Sequence, residues 1–195
     1  MTAAHAMSDL SRSDVAVLDP VLLRRMAEGD QLAFEQFHRF HVKAVQRLAY
    51  GIVFDAAEAA DIVQAVFLAA FQSAKSWRPD HPAQAWLNRL TVNEALTVRR
   101  KLARFVRPAT PTEPLATPHE SAERSAAIRL VRQAASTLSE VDRALLALHF
   151  DQDLSAPEIG EALGLTPNAV RVRLHRALER LKAAVAKEQG GSLNG

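Results

Sequence analysis

An all-α fold is predicted: two small helical domains joined by a proline-rich linker, the C-terminal one a helix-turn-helix. Three observations predict it. Apolar residues recur at helical spacing along most of the chain, no alternating stretch reaches the length of a strand, and only seven glycines are available for hairpins. The stretch from Pro108 to Ser121 holds four prolines in fourteen residues and almost no bulky apolar side chains. It cannot pack a core and reads as a partly extended linker. Finally, Ser155 to Lys187 reads as two helices joined by a tight turn, the second with a basic face.

Taken in order, residues 1–19 are small and polar and read as a loose tail. Val21 to Ala27 suggests a short helix ending at Gly29. Asp30 can cap a long helix carrying Phe34, Phe37, Val45, Leu48 and Ile52, and Asp55 a third running to about Ala74. A loop from Ser76 to Pro82 precedes a fourth helix, from about Ala83 to Arg104. The expected units are therefore a first domain over 20–107, a linker over 108–121, a second domain over 122–187 and a tail over 188–195. In the second domain, helical periodicity resumes near Ala122 and restarts at Leu138-Ser139.

The helix-turn-helix is read from its caps. Ser155 and Glu158 have capping-box spacing, and Ile159 and Leu163 form a short buried stripe. Gly164 supplies the left-handed position that ends the helix, and small Gly160 allows a close helix crossing. Thr166 offers the next N-cap and Pro167 the favoured first helical residue. The second helix buries Val170, Leu174, Leu178, Leu181 and Val185. Between Thr166 and Lys187 there are six basic residues against one acid, Glu179, a local net charge of +5. Thr166, Asn168, Arg171, Val172, Arg173, His175 and Arg176 lie near the helix N-terminus, the part that enters a major groove. Arginine can read guanine edges with two bonds, and an exposed valine can meet a thymine methyl.

Composition narrows the function classes. Of 195 residues, 48% are hydrophobic and 24% charged, ordinary for a globular protein, and the net charge is only +2. Nucleic-acid affinity must then come from local patches rather than a global field. With no cysteine there is no disulfide, thiolate metal site or thiol switch. Neither a signal peptide nor a membrane-length apolar run is visible, so a cytoplasmic location without membrane insertion is expected.

The first domain presents two contrasting surfaces. Between Ile62 and Ala74 the only polar residues are Gln64, Gln72 and Ser73. Ile62, Val63, Val66 and Ala70 share one arc, leaving Leu68 and Phe71 outside it. A helix apolar beyond one stripe is either central in its bundle or docks on a partner. Farther on, Trp77, Arg78, Asp80, His81 and Trp86 put aromatics beside polar groups. After Asn93 come Arg99, Arg100, Lys101, Arg104 and Arg107 with no acid between them. Aromatics with cations suit single-stranded nucleic acid; a packed tryptophan and a basic helix C-terminus account for the same residues.

Together these segments carry a resemblance. Residues 21–187 resemble an extracytoplasmic-function (ECF) sigma factor, a class of bacterial RNA polymerase initiation subunit. Glu58 to Phe71 resembles that family's polymerase-binding helix at Asp61, Val63, Gln64, Val66, Phe67 and Leu68. Trp86 to Arg100 resembles its −10 recognition helix at Trp86, Leu87, Asn93 and Arg100, and Ile159 to Leu181 its −35 reading helix-turn-helix. Ala60 and Ala65 stand where the family usually has acids, and Thr97 where aspartate is common. This shifts the expected docking from charge toward Gln64, Phe67, Leu68 and Phe71. The resemblance implies a protein that binds core RNA polymerase, spans both elements of promoter DNA and helps melt the −10 region. Its −10 contacts would be Trp77, Arg78, Asp80, His81, Asn93, Arg99 and Arg100. Family members are often held by an anti-sigma factor, a further expected class of partner.

Two rivals share parts of the pattern. A helix-turn-helix regulator acting without polymerase would need a dimer surface and a sensor domain, and the sequence shows neither. Glu35-x-x-His38, with His41 one turn on, has the spacing of a di-metal ligand pair, but no second Glu-x-x-His exists to complete it. No cofactor motif or catalytic constellation is present, so no enzymatic activity of its own is expected.

Overall fold

The computed structural model describes residues 12–102 and 122–191, and every regular element among them is helical. The linker over 108–121, with Arg104 and Arg107, lies outside the described residues, as do 1–11 and 192–195. In the first half run α1 (Arg12–Ala27), α2 (Gln31–Val53), α3 (Ala56–Ser73), a 3₁₀ turn (Ala74–Ser76) and α4 (Ala83–Leu102). The second half holds α5 (Ala122–Ser136), α6 (Glu140–Phe150), α7 (Ala156–Leu163) and α8 (Pro167–Gly191).

The expected caps hold the helix starts. Asp30 accepts a bond from the Ala33 amide at 3.1 Å, and Asp55 one from Glu58 at 2.8 Å. The Ala33 amide and Arg25 together hold the Asp30 carboxyl below its ordinary range. Ser139 caps α6, bonded to the Asp142 amide at 3.2 Å. α2 ends on Phe54, a non-glycine residue with φ +57°.

α1 differs from the sequence reading, which placed 1–19 in a tail and began the helix after Pro20. The helix starts at Arg12 and carries Pro20 inside it. Pro20 is a helix-start signal when only local sequence is weighed; here a tertiary contact carries the helix past it. Asp19 is buried one residue earlier, 2.8 Å from Nε2 of the buried His41 on α2. His41 continues through Nδ1 to Gln84 at 3.0 Å, and Gln84 donates to Asn88 at 2.8 Å. A buried polar chain thus ties α1 and α2 to the start of α4. At the other end α8 stays helical to Gly191, beyond the Lys187 expected from sequence.

Leu23, Phe37, Leu48, Ile52, Ile62 and Leu87 are fully buried around α2, the axis on which α1, α3 and α4 pack. The two halves also meet: α6 lies on α2 and α7 on α4, and Leu145, Leu148, Ile159 and Val170 join the same apolar cluster. Gly51 permits a close approach, since a Cβ there would stand 3.2 Å from Ala147 Cβ. Around that point Arg47 pairs with Asp151 at 3.3 Å. Arg143 lies 5.1 Å over the Phe54 ring and Arg132 5.0 Å over Tyr50.

Candidate nucleic-acid and partner interfaces

Three surfaces stand out, each with its own chemistry. The first is a groove between α2 and α3, walled by Phe34, His38 and Val42 on one side and Gln64, Phe67, Leu68 and Phe71 on the other. Phe34 meets Phe71 edge-on at 5.2 Å, and His38 lies 4.4 Å from the Phe67 ring. Leu68 is 58% exposed although the groove is apolar, while Phe67 is only 3% exposed. Phe67 therefore forms the floor and Leu68 the rim, beside exposed Gln64, while Asp61 is exposed earlier on α3. Phe71 is half-buried against Phe34. Burial among these rings holds the His38 imidazole below the ordinary histidine value. The α2 wall was missed from sequence because Phe34 reads there as core. His38 and His41 look in different directions, one into this groove and the other to Asp19.

The second surface joins the 76–82 loop to one face of α4. The Trp77 indole N–H donates to the His81 carbonyl at 3.1 Å, and the His81 amide to the Arg78 carbonyl at 3.0 Å. These bonds close the loop, so Trp77 positions it while packing on the core. Trp77, Arg78, His81, Trp86 and Asn93 line one depression with Arg89, which the sequence reading did not single out. Arg89 stands four residues before Asn93, so helical spacing alone could have found it. Asp80 sits at the loop tip, 3.5 Å from Arg78. The far wall of the depression is α7, whose Glu161 approaches His81 at 3.4 Å. Arg99 does not join this face. It is 17% exposed and pairs with Glu58 at 3.3 Å and Glu140 at 3.7 Å. Arg100 is exposed, its Nε donating to the Leu96 carbonyl at 3.1 Å.

The third surface is the helix-turn-helix, formed as its caps predict. Glu158 accepts from the Ser155 amide at 2.8 Å and from its hydroxyl, which together hold the Glu158 carboxyl below its ordinary range. Gly164 takes φ +67°. Gly160 is needed for a reason more local than a helix crossing: a Cβ there would fall 2.5 Å from the Leu165 carbonyl oxygen in the turn. Thr166 accepts from the Ala169 amide at 3.2 Å, so its hydroxyl caps α8. Val170 and Ala177 are buried, and Leu174, Leu178 and Leu181 pack on Leu138 and Leu146. Asn168, Arg171, Val172, His175 and Arg176 face solvent. Arg173, expected beside them, leans to one flank: its Nε donates to Asp142 of α6 at 2.6 Å, and its side chain stays partly open to solvent. The contact joins residues 31 apart in sequence, beyond the reach of any local pattern.

Among the described residues, no helix is long and apolar enough to cross a membrane. Residues 37–105 match the family model for Sigma-70 region 2, and residues 128–181 that for Sigma-70, region 4. The chain is 31% identical over 170 residues to the ECF RNA polymerase sigma factor SigE of Mycolicibacterium smegmatis, covering 83% of this chain and 66% of that protein. It is 30% identical over 180 residues to the RNA polymerase sigma factor NccH of Alcaligenes xylosoxydans xylosoxydans, covering 88% of this chain and 97% of that one. Among solved structures, CnrH in complex with the cytosolic domain of CnrY superposes with a TM-score of 0.64 at 28% identity, over 86% of this chain and 96% of that one. The sigma factor RpoE of Bartonella quintana, solved with the anti-sigma factor NepR, shares the fold with a TM-score of 0.67 at 20% identity, over 78% of this chain and 96% of that one. A chain whose described elements are all helical, and which carries both regions in this order along nearly the full length of a curated relative, belongs to the sigma-70 family, in its ECF class of RNA polymerase sigma factors.

Proposed function

We propose that the three surfaces divide the work of a sigma factor among them. The α2–α3 groove takes core RNA polymerase, with Leu68 and Gln64 at its rim, Asp61 earlier on α3, and Phe67 and Phe71 beneath. The depression bearing Asn93, Trp86 and Arg78 receives the −10 strand as it separates, and Asp80 and His81 shape the loop beside it. Asn168, Arg171, Val172, His175 and Arg176 of α8 meet the −35 duplex. The helices α1 to α4 and α5 to α8 act as two units joined by the segment between. The chain supplies no catalytic group, so phosphodiester synthesis belongs to the polymerase, and the site of action is the cytoplasm. An anti-sigma partner, of the kind solved with RpoE, would compete for the apolar groove.

The observation that carries this reading is the separation of chemistry: an apolar groove rimmed by exposed Leu68 on one side, and an arginine-rich helix projecting from a capped turn on the other. A regulator that never joins polymerase has no use for the groove. The reading is tested with Asn93→Ala, an exposed position whose loss spares the fold. Holoenzyme containing this variant is expected to bind core normally yet show reduced permanganate reactivity of −10 thymines, since unpairing costs a few kcal/mol that strand contacts must repay. Full reactivity would remove the −10 strand from this face.

A further inference from the structure

Asp142 is 4% exposed at its side chain and sits in the first turn of α6, yet its strongest partner is on α8. Arg173 Nε donates to Oδ1 at 2.6 Å, and Arg180 Nη1 to Oδ2 at 3.4 Å. The Ser139 hydroxyl also donates to Oδ2, at 2.8 Å, and accepts weakly from Arg173 Nη2 at 3.4 Å. Arg173 and Arg180 are seven residues apart, just under two turns, so they stand on one flank of α8. On the outward ridge, Asn168 and Val172 lie about 100° or more around the helix from Arg173, and Arg176 stands between them and the pair, lining the same concavity. A guanidinium has five N–H donors in a rigid fork. Arg173 commits Nε and one Nη2 hydrogen to α6, which fixes the plane of the group and leaves three donors for an outside acceptor. Both arginines remain open to solvent, 39% and 65% exposed at the side chain.

We propose that Asp142 is a positioning residue for −35 recognition, holding Arg173 and Arg180 as a pair that grips DNA phosphates while the outward ridge of α8 meets the bases. This rests on α8 being the −35 reader, and it sorts the arginines of that helix. Arg173 and Arg180 set register and orientation, and Arg176 carries sequence preference. A carboxylate beside a DNA-binding arginine would ordinarily weaken binding by its charge. Its value here is geometric: ordering the two long side chains before DNA arrives removes an entropic cost from association.

The test uses holoenzyme containing the full chain, with duplexes that the wild-type holoenzyme selects from a pool randomised at the −35 element. Asp142→Asn removes a negative charge near the DNA. If Asp142 does not position the arginines, this variant binds as tightly or tighter, with a steeper salt dependence, and the proposal is overturned. The expected result is the opposite: about tenfold weaker binding to every −35 duplex, with a shallower salt slope. In an Arg173→Ala, Arg180→Ala background, Asp142→Asn is expected to change nothing further. An equal loss there would mean it acts only through the α6 cap, again overturning the proposal. Should Asp142→Asn fail to fold, the double arginine variant decides the question. A loss uniform across bases, with a salt slope lower by about two units, supports the proposal, and a loss confined to one base position refutes it. Arg176→Ala separates this proposal from its premise. If it leaves affinity and base preference intact, α8 is not the reader and the proposal falls with it. If it relaxes preference while Asp142→Asn has no effect, only the positioning role is lost.

Discussion

The α2–α3 groove and the outer face of α8, the two surfaces proposed to meet polymerase and the −35 duplex, are built on opposite principles. The groove is lined by rings and aliphatic side chains, with Leu68 left 58% exposed on its rim. α8 offers arginines, two of them tethered from behind by one buried carboxylate. Association through the groove would draw on removal of apolar surface from water, a force that salt does not screen. Association through α8 draws on release of counterions and falls steeply as salt rises. One chain can therefore remain on its protein partner while its hold on DNA is loosened.

The comparison is broken most directly at Leu68. Burying a leucine contributes about 1.5–3 kcal/mol, so Leu68→Ser should weaken binding to core polymerase by roughly 30-fold with thermal stability unchanged. Titration of core into labelled full-length chain measures it; wild-type affinity would show that the rim contributes nothing. The next effect sharpens the contrast. If α8 neutralises about three phosphates, raising salt from 50 to 200 mM should weaken its contribution to promoter binding about fortyfold and leave core affinity nearly level. Arg176→Ala should cost about 1–3 kcal/mol with altered preference at one −35 position. Equal salt slopes for the two partners would erase the distinction.

The smallest effect concerns pH within the groove. Burial holds His38 below the ordinary value of 6.5, so below that pH the unfolded chain takes up a proton more readily than the folded one. Stability is intact above pH 6.5 and declines as the pH falls through the lowered folded value. His38→Phe keeps a ring against Phe67 and should flatten this decline, seen in melting temperatures between about pH 5 and 7. An acid limb unchanged by the substitution would assign the decline to other groups.

What sequence reading reached, and what it did not, follows from the range of each interaction. The caps at Asp30, Asp55, Ser155 and Thr166 act within three residues, and each is found where its spacing placed it. Leu68 stood out because a helical wheel needs only one helix. The early start of α1 escaped notice because Asp19 meets a histidine 22 residues away. The carboxylates that hold Arg173 and Arg99 lie on other helices, so no local pattern marks either pairing. Arginine count and helix face are local properties, while the partner that turns an arginine inward is set by the tertiary fold.

The seam between the halves carries a mechanical consequence. Promoter elements at −10 and −35 are centred about 25 base pairs apart, roughly 85 Å of duplex at 3.4 Å per step. A compact chain of 195 residues has a radius of gyration of only about 16 Å. Engaging both elements at once therefore requires α6 to leave α2 and α7 to leave α4. The seam is suited to parting. At one point it sets glycine on alanine, and around it sit Arg47 with Asp151, Arg99 with Glu140, and Arg143, whose burial lowers its pKa because water solvates its charge better. Each charge regains hydration when the halves separate, which offsets part of the cost of exposing the apolar side chains between them. The seam works as a clasp, and whatever free energy still holds it shut is subtracted from the chain's apparent affinity for its promoter.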